Sequence, residues 1–111
     1  YDVAIKKNVL NISSQLIAEY TPESLEVTQE LVTKSKTMFE ADLYVACTGL
    51  LKSGGSETKD KPVGTFFYCV GYKDEMYDFR SICQGAPEQK LLSVNSLICK
   101  SIIEVVNSHT D

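Results

Sequence analysis

The chain has no Cys-x-x-Cys pair: its cysteines, Cys47, Cys69, Cys83 and Cys99, stand far apart. That spacing excludes a zinc ribbon and a thioredoxin-like redox motif. Three of the four sit inside apolar segments, which favours buried, reduced thiols acting as small hydrophobes over a disulfide framework. Positive charge is also scarce, with 11 Lys and Arg against 15 Asp and Glu and a formal net charge of -4. A sequence-independent grip on a phosphate backbone needs clustered cations that release counterions, so nucleic acid is not an expected partner. No apolar run approaches the roughly 20 residues of a bilayer span. The opening YDVAIKKNVL has no charged-then-apolar leader pattern, so no membrane partner is expected and the chain is placed in the cytoplasm. The Asn11-Ile12-Ser13 sequon would matter only in a secreted protein. One histidine, His109, falls in the polar tail NSHTD and is expected to take no part in catalysis, which requires a held imidazole. No metal and no cofactor are expected.

What remains is 111 residues, 43% hydrophobic and 23% charged, enough for one globular domain over residues 1–111. Residues 2–10 read as a short helix, and Gln15 to Tyr20 as a second short turn. Thr21-Pro22-Glu23 carries the signature of a helix start: a hydroxyl to cap free amides, a proline at the first helical position and a carboxylate at the positive dipole end. Val27, Leu31, Ser35 and Met38 would line one face of that helix, which is expected to run to about Phe39. LYVAC (43–47) and TFFYCV (65–70) are unbroken apolar runs, expected as strands buried on both faces. Gly71 to Glu75 punctuates a turn. MYDFRSIC (76–83) alternates, with Tyr77, Phe79 and Ser81 on one face and an exposed Asp78 and Arg80 pair on the other. After Gly85-Ala86-Pro87 a long helix presents Leu91, Val94, Ile98, Ile102 and Val105 as its apolar stripe. The order implies an α/β fold, a three-layer α/β/α sandwich around a mixed sheet, in which the last two strands form an antiparallel hairpin.

Between the first two apolar runs lies CTGLLKSGGSETKDKPVGT, residues 47–65. Taken alone, such a Gly/Ser/Lys/Asp loop is a solvated connection. Its pattern, however, resembles the T-G-I-A-G-P-G-G…K-P-V-G-T segment of the C-terminal domain of the competence/damage-inducible protein CinA, a family of nicotinamide mononucleotide deamidases. The Y-x-x-x-x-K pattern of that family is met by Tyr1 and Lys6, and its A-D, apolar strand and T-G by Ala41 through Gly49. The resemblance covers the whole chain, and it implies an amidase that hydrolyses the carboxamide of nicotinamide mononucleotide. It places the serine nucleophile in an E-S-C-T-G-G motif ahead of the Tyr, a segment these residues do not contain, so the chain reads as a truncated domain of the family and is expected to be inert alone.

By the same resemblance, Tyr1, Lys6 and Thr48 are the catalytic positions, and Gly49, Lys52, Ser53, Gly54 and Gly55 the substrate-binding ones. The residue types suit the roles. A lysine with a depressed pKa can take a serine's proton, a tyrosine can relay it, and a threonine hydroxyl with nearby amides can hold an oxyanion. Gly54 and Gly55 let backbone amides approach a phosphate or ribose. The family's G-P-G-G is replaced by Lys52-Ser53-Gly54-Gly55, and an arginine after the third strand by Gly85-Ala86-Pro87. Lys52 then offers a point charge without a bidentate fork. Those departures motivate the alternative of a catalytically inactive nucleotide-binding or dimerisation module. The expected partners are a small-molecule nucleotide substrate and further copies of the chain, as a homodimer or higher homo-oligomer.

Overall fold

The computed structural model describes residues 12–55 and 57–109. Helix α1 (Ser14–Tyr20) and helix α2 (Leu25–Met38) are followed by strands β1 (Leu43–Gly49), β2 (Thr65–Tyr72) and β3 (Glu75–Ile82), and by the long helix α3 (Pro87–Ser108). The three strands pair in the order β1-β2-β3. Alternation along the strands divides the side chains into two cores. Ala46 packs with Ile12, Leu16, Ile17, Val27 and Leu31 of the α1/α2 layer. Cys47, Phe66, Tyr68 and Phe79 pack with Val94, Leu97 and Ile98 of α3. The expected α/β/α layering is therefore observed. The sheet differs in one respect: both described pairings are antiparallel, with Gly49 opposite Phe66 and Thr65 opposite Ile82. A parallel pair needs a crossover, usually helical, and the link from β1 to β2 contains none.

Only β2 behaves as a strand buried on both faces, closed from Thr65 to Gly71. β1 is half-exposed, with Val45 at 40%, because it pairs only with β2 among the described residues. β2 also runs further than expected. The turn is just Lys73 and Asp74, at φ 51° and 65°, the left-handed pair that a two-residue hairpin requires.

Helix α2 starts later than Thr21-Pro22-Glu23 suggests. Thr21, at φ 70°, terminates α1, and its hydroxyl donates to the Glu23 carbonyl. Ser24 is the true cap: its Oγ accepts from Val27 N–H at 3.2 Å and donates to the Thr21 carbonyl at 2.9 Å. Val27 and Leu31 are buried as expected, but Met38 is exposed. In α3, Pro87 opens the first turn and Gln89 Oε1 accepts from Ala86 N–H. Val94 and Val105 are buried as expected, and the stripe is completed by Ser101, whose Oγ meets the Tyr68 hydroxyl at 3.3 Å. Leu91 is exposed, as are Leu92 and Ile103 on the outer face. By length and composition alone α3 is long and apolar enough to cross a membrane, although Lys90, Lys100 and Glu104 break its apolar run. Here it docks on the sheet.

His109, in the polar tail, is held against the sheet. Tyr77 donates to Glu75, so His109 Nε2–H is the donor in its 2.7 Å contact with the Tyr77 hydroxyl. The His109 ring also meets Tyr72 edge-on. All four cysteines are free, but Cys99 is exposed rather than buried.

Candidate functional site

A cavity of about 330 Å³ opens where β1 ends, between the entrance to α2 and the flank of α3. Its lining includes Thr48 and Gly49, with Glu23 before α2, Phe66 on β2, and Val94 and Asn95 on α3. A second depression, about 440 Å³, lies at the opposite end of β1 around Tyr44 and the Lys73-Asp74 hairpin. It shares no residue with the T-G or K-P-V-G-T segments.

Backbone geometry fixes the cavity floor. A side chain at Gly49 would place its Cβ 2.1 Å from the Phe66 ring, so only glycine lets β1 pass this aromatic. Gly64 sits at φ +97°, and a Cβ there would come within 2.2 Å of the Cys83 carbonyl. From this conformation Gly64 N–H donates to the Leu50 carbonyl at 2.6 Å, and its own carbonyl accepts from Cys83 N–H at 2.8 Å. Thr65, fully buried, donates its hydroxyl to the Pro62 carbonyl at 2.7 Å. Through these bonds Pro62 and Gly64 return the loop to the sheet.

Two lysines fasten the 50–64 loop to the layers on either side. Lys61 Nζ donates to Thr21 Oγ1 at 2.6 Å and to the Glu23 carbonyl at 2.7 Å, tying the loop to the entrance of α2. Burial lowers the Lys61 pKa, against the opposing pull of the Glu23 and Glu26 carboxylates, with Arg80 adding to the lowering. On the other side, Lys90 Nζ donates to the Leu51 carbonyl at 3.0 Å. The cavity is thus framed by a braced loop. Arg80 joins the brace by donating to the Asp60 carbonyl and lying over Phe67. Asp78 instead accepts from Gln29 Nε2 at 2.8 Å and from the Cys69 thiol at 3.3 Å. The expected Asp78 and Arg80 surface pair is replaced by these separate partners.

The sequence-derived site residues divide into three groups. Tyr1 and Lys6 lie outside the described residues. Thr48 and Gly49 stand at the cavity, where Thr48 is buried and its hydroxyl lies 2.9 Å from Thr28 Oγ1 and 3.5 Å from the Ser24 carbonyl. Thr28 in turn has the Ser24 carbonyl 2.6 Å from its hydroxyl, so Thr48 is oriented by the first turn of α2. Lys52, Ser53, Gly54 and Gly55 do not line this cavity; they are exposed along the loop.

Three residues near the site were not marked by sequence reasoning as functional. Glu23 passed as a helix-start carboxylate, and its place beside Lys61 was not visible. Asn95 interrupts the apolar run of α3 directly after Val94, a signal that was available. Glu57 lay hidden among polar loop residues; its Oε2 accepts from Gly54 N–H at 2.8 Å. That bond, then its own amide, hold the Glu57 carboxyl below the usual range against the opposing effect of desolvation, with the Gly55 amide adding the least.

Cys47 also lines the cavity, but burial and the neighbouring Cys83 push its thiol up to about 11, which makes it a poor nucleophile near neutrality. No group of three or more His, Cys, Asp or Glu side chains among the described residues could hold a metal ion.

Comparison with known proteins places this arrangement. Residues 1–106 match the model of the CinA C-terminal domain. Protein MG115 of Mycoplasma genitalium is 32% identical over 79 residues, covering 71% of this chain and 49% of that protein. A CinA-like protein of Pseudothermotoga lettingae is 32% identical over 71 residues, 63% of this chain but 17% of its own length. The chain therefore spans half or less of the length of these relatives. Among solved structures, the competence damage-inducible protein A (ComA) of Klebsiella pneumoniae superposes with a TM-score of 0.88 at 19% identity, over 99% of this chain and 68% of that one. A CinA superfamily protein of Escherichia coli superposes with a TM-score of 0.71 at 28% identity, over 82% and 52%. With the family model matched over nearly the whole sequence and the same layered fold in its solved members, this chain belongs to the CinA C-terminal domain family.

Proposed function

We propose that this chain is the greater part of an amidase domain that converts nicotinamide mononucleotide to nicotinic acid mononucleotide and ammonia. The observation that carries the reading is the conjunction of the family match with Thr48-Gly49 lining a cavity of about 330 Å³. That volume lies at the lower end of the range for small-molecule pockets. Its apolar walls, Phe66, Leu51 and Ile98, suit a flat ring, while Glu23, Asn95 and Thr48 supply polar contacts for a carboxamide or ribose.

In the proposed reaction a serine outside these residues adds to the carboxamide carbon after giving its proton to Lys6. Tyr1 relays or orients that transfer, and Thr48 with adjacent amides stabilises the oxyanion. The C–N bond breaks as the nitrogen takes up a proton, ammonia leaves, and water hydrolyses the acyl-enzyme. Thr28 gives its proton to the Ser24 carbonyl, so Thr48 donates to Thr28 at rest, and its part in the reaction requires that proton to turn from Thr28 to the oxyanion. The cytoplasmic placement and the homo-oligomer belong to the same proposal.

The test is ammonia release from nicotinamide mononucleotide by the full-length protein, beside Lys6→Ala and Thr48→Ala variants shown to be folded. Turnover that falls by roughly 10²-fold or more in each variant is the expected result, the scale of losing a general base or one oxyanion donor. The second reading, a binding module without turnover, is favoured by the unlined Lys52–Gly55 loop segment. Calorimetric binding of the nucleotide without ammonia release would select it.

A further inference from the structure

The loop glycines are not an empty cradle. Gly54, at φ +91°, turns its N–H onto Glu57 Oε2 at 2.8 Å. Glu57 Oε1 lies only 3.8 Å from where a Gly55 side chain would begin. The carboxylate therefore rests on the Gly54 amide with the Gly55 backbone alongside, the kind of glycine turn in which backbone N–H groups gather an anion. Its fit is incomplete. Oε1 is shielded from solvent and has no hydrogen-bond partner among the described residues. A shielded, unsatisfied carboxylate oxygen carries a desolvation cost, so the carboxylate fills the cradle without satisfying it.

We propose that Glu57 is an internal stand-in for the phosphate of the ligand, latching the Gly54-Gly55 cradle until a phosphate monoester displaces it. The inference rests on the small-molecule site proposed above and adds where its phosphate goes. A phosphate has three terminal oxygens for the same amides and can meet donors that a planar carboxylate leaves unmet. Lys52 and Lys59 flank the cradle in sequence and are exposed, free to follow the incoming charge, whereas Lys61 is held by Thr21 and Glu23. The displaced Glu57 side chain moves into solvent, taking its charge away from the phosphate.

Glu57→Gln tests this directly, since it keeps an acceptor for Gly54 N–H and removes the competing charge. In calorimetry on the full-length protein, nicotinamide mononucleotide is expected to bind the variant roughly fivefold or more tightly, as expected when a charge-assisted hydrogen bond becomes a neutral one. Nicotinamide riboside, which has no phosphate, is expected to bind both proteins equally. Unchanged or weakened mononucleotide binding in a folded variant would overturn the latch and leave Glu57 as a loop fastener. If neither protein binds the mononucleotide, the amide signals of Gly54 and Gly55 under titration with inorganic phosphate decide. Shifts in Glu57→Gln that wild type lacks would uphold the cradle while the nicotinamide reading fails. Absence of shifts in both proteins would overturn the cradle as well.

Discussion

Gly64 shows how a single missing Cβ shapes the site. Its positive φ alone would strain any L side chain, and the Cys83 carbonyl occupies the space that an alanine methyl needs. Gly64→Ala must rotate this residue or displace β3, breaking the bonds that join Gly64 to Leu50 and Cys83. The expected cost is about 2–4 kcal/mol in urea unfolding, the scale of combined backbone strain and lost hydrogen bonds. A loss under about 0.5 kcal/mol, the size of an ordinary surface substitution, would mean the loop returns by another path. The thiols offer a second check at this scale. Cys47 has a folded pKa of about 11 against an ordinary value of 9.0, and burial raises Cys69 and Cys83 as well. Between pH 9.0 and about 11 the unfolded chain has released the Cys47 proton while the folded chain keeps it, so this contribution to stability is full below pH 9.0 and is lost as pH rises through the folded value. At pH 8 iodoacetamide should modify exposed Cys99 first, with Cys47, Cys69 and Cys83 protected until the protein unfolds; peptide mass spectrometry reads the order.

Among the elements, the 50–64 loop takes its shape from outside itself. Lys61 connects it to the Thr21–Ser24 link, and that link caps α2, whose first turn orients Thr48. Lys61→Met keeps most of the apolar stem but deletes two donors, so a loss of about 1–2 kcal/mol is expected, at the low end for charged hydrogen bonds because the site is partly open to water. The structural readout is a shift of the Thr28 and Thr48 amide signals; unchanged signals would disconnect the loop from α2. This linkage also marks what sequence patterning could reach. TFFYCV was legible because an unbroken apolar run carries its burial in its own residue types. Thr21-Pro22-Glu23 imitated a helix start because every residue in it suits one, and only the termination of α1 at Thr21 reassigns it. Glu57 and Lys61 looked like solvated loop charges because their partners, Gly54 amide and Thr21 hydroxyl, are chosen by the folded path of the loop. That β1 pairs only with β2 among the described residues was equally hidden, since an apolar run does not state how many neighbours it will have.

Across the molecule, β2 is the one described strand that meets helices through a fully buried surface on each face. Val70 and Cys69 are inaccessible at its centre, between the Leu31 core of α2 and the Val94 core of α3. Disturbing either helix layer should therefore be felt in the other, because β2 cannot lose one covering and remain well paired. Leu31→Ala is a suitable perturbation, as Leu31 is 2% exposed and its truncation leaves a cavity worth about 2–5 kcal/mol. Cys83 reports from the opposite core, where it packs with Phe66, Tyr68 and Val94 and is 5% exposed. If the domain unfolds as one unit, the denaturant midpoint for Cys83 alkylation in Leu31→Ala will fall together with that of the helical circular dichroism signal. A Cys83 midpoint that stays at the wild-type value while helicity is lost would separate the layers. The β1 end of the cavity, which draws Glu23 from one layer and Asn95 from the other, would then be an assembly of two independently stable halves rather than a single preorganised site.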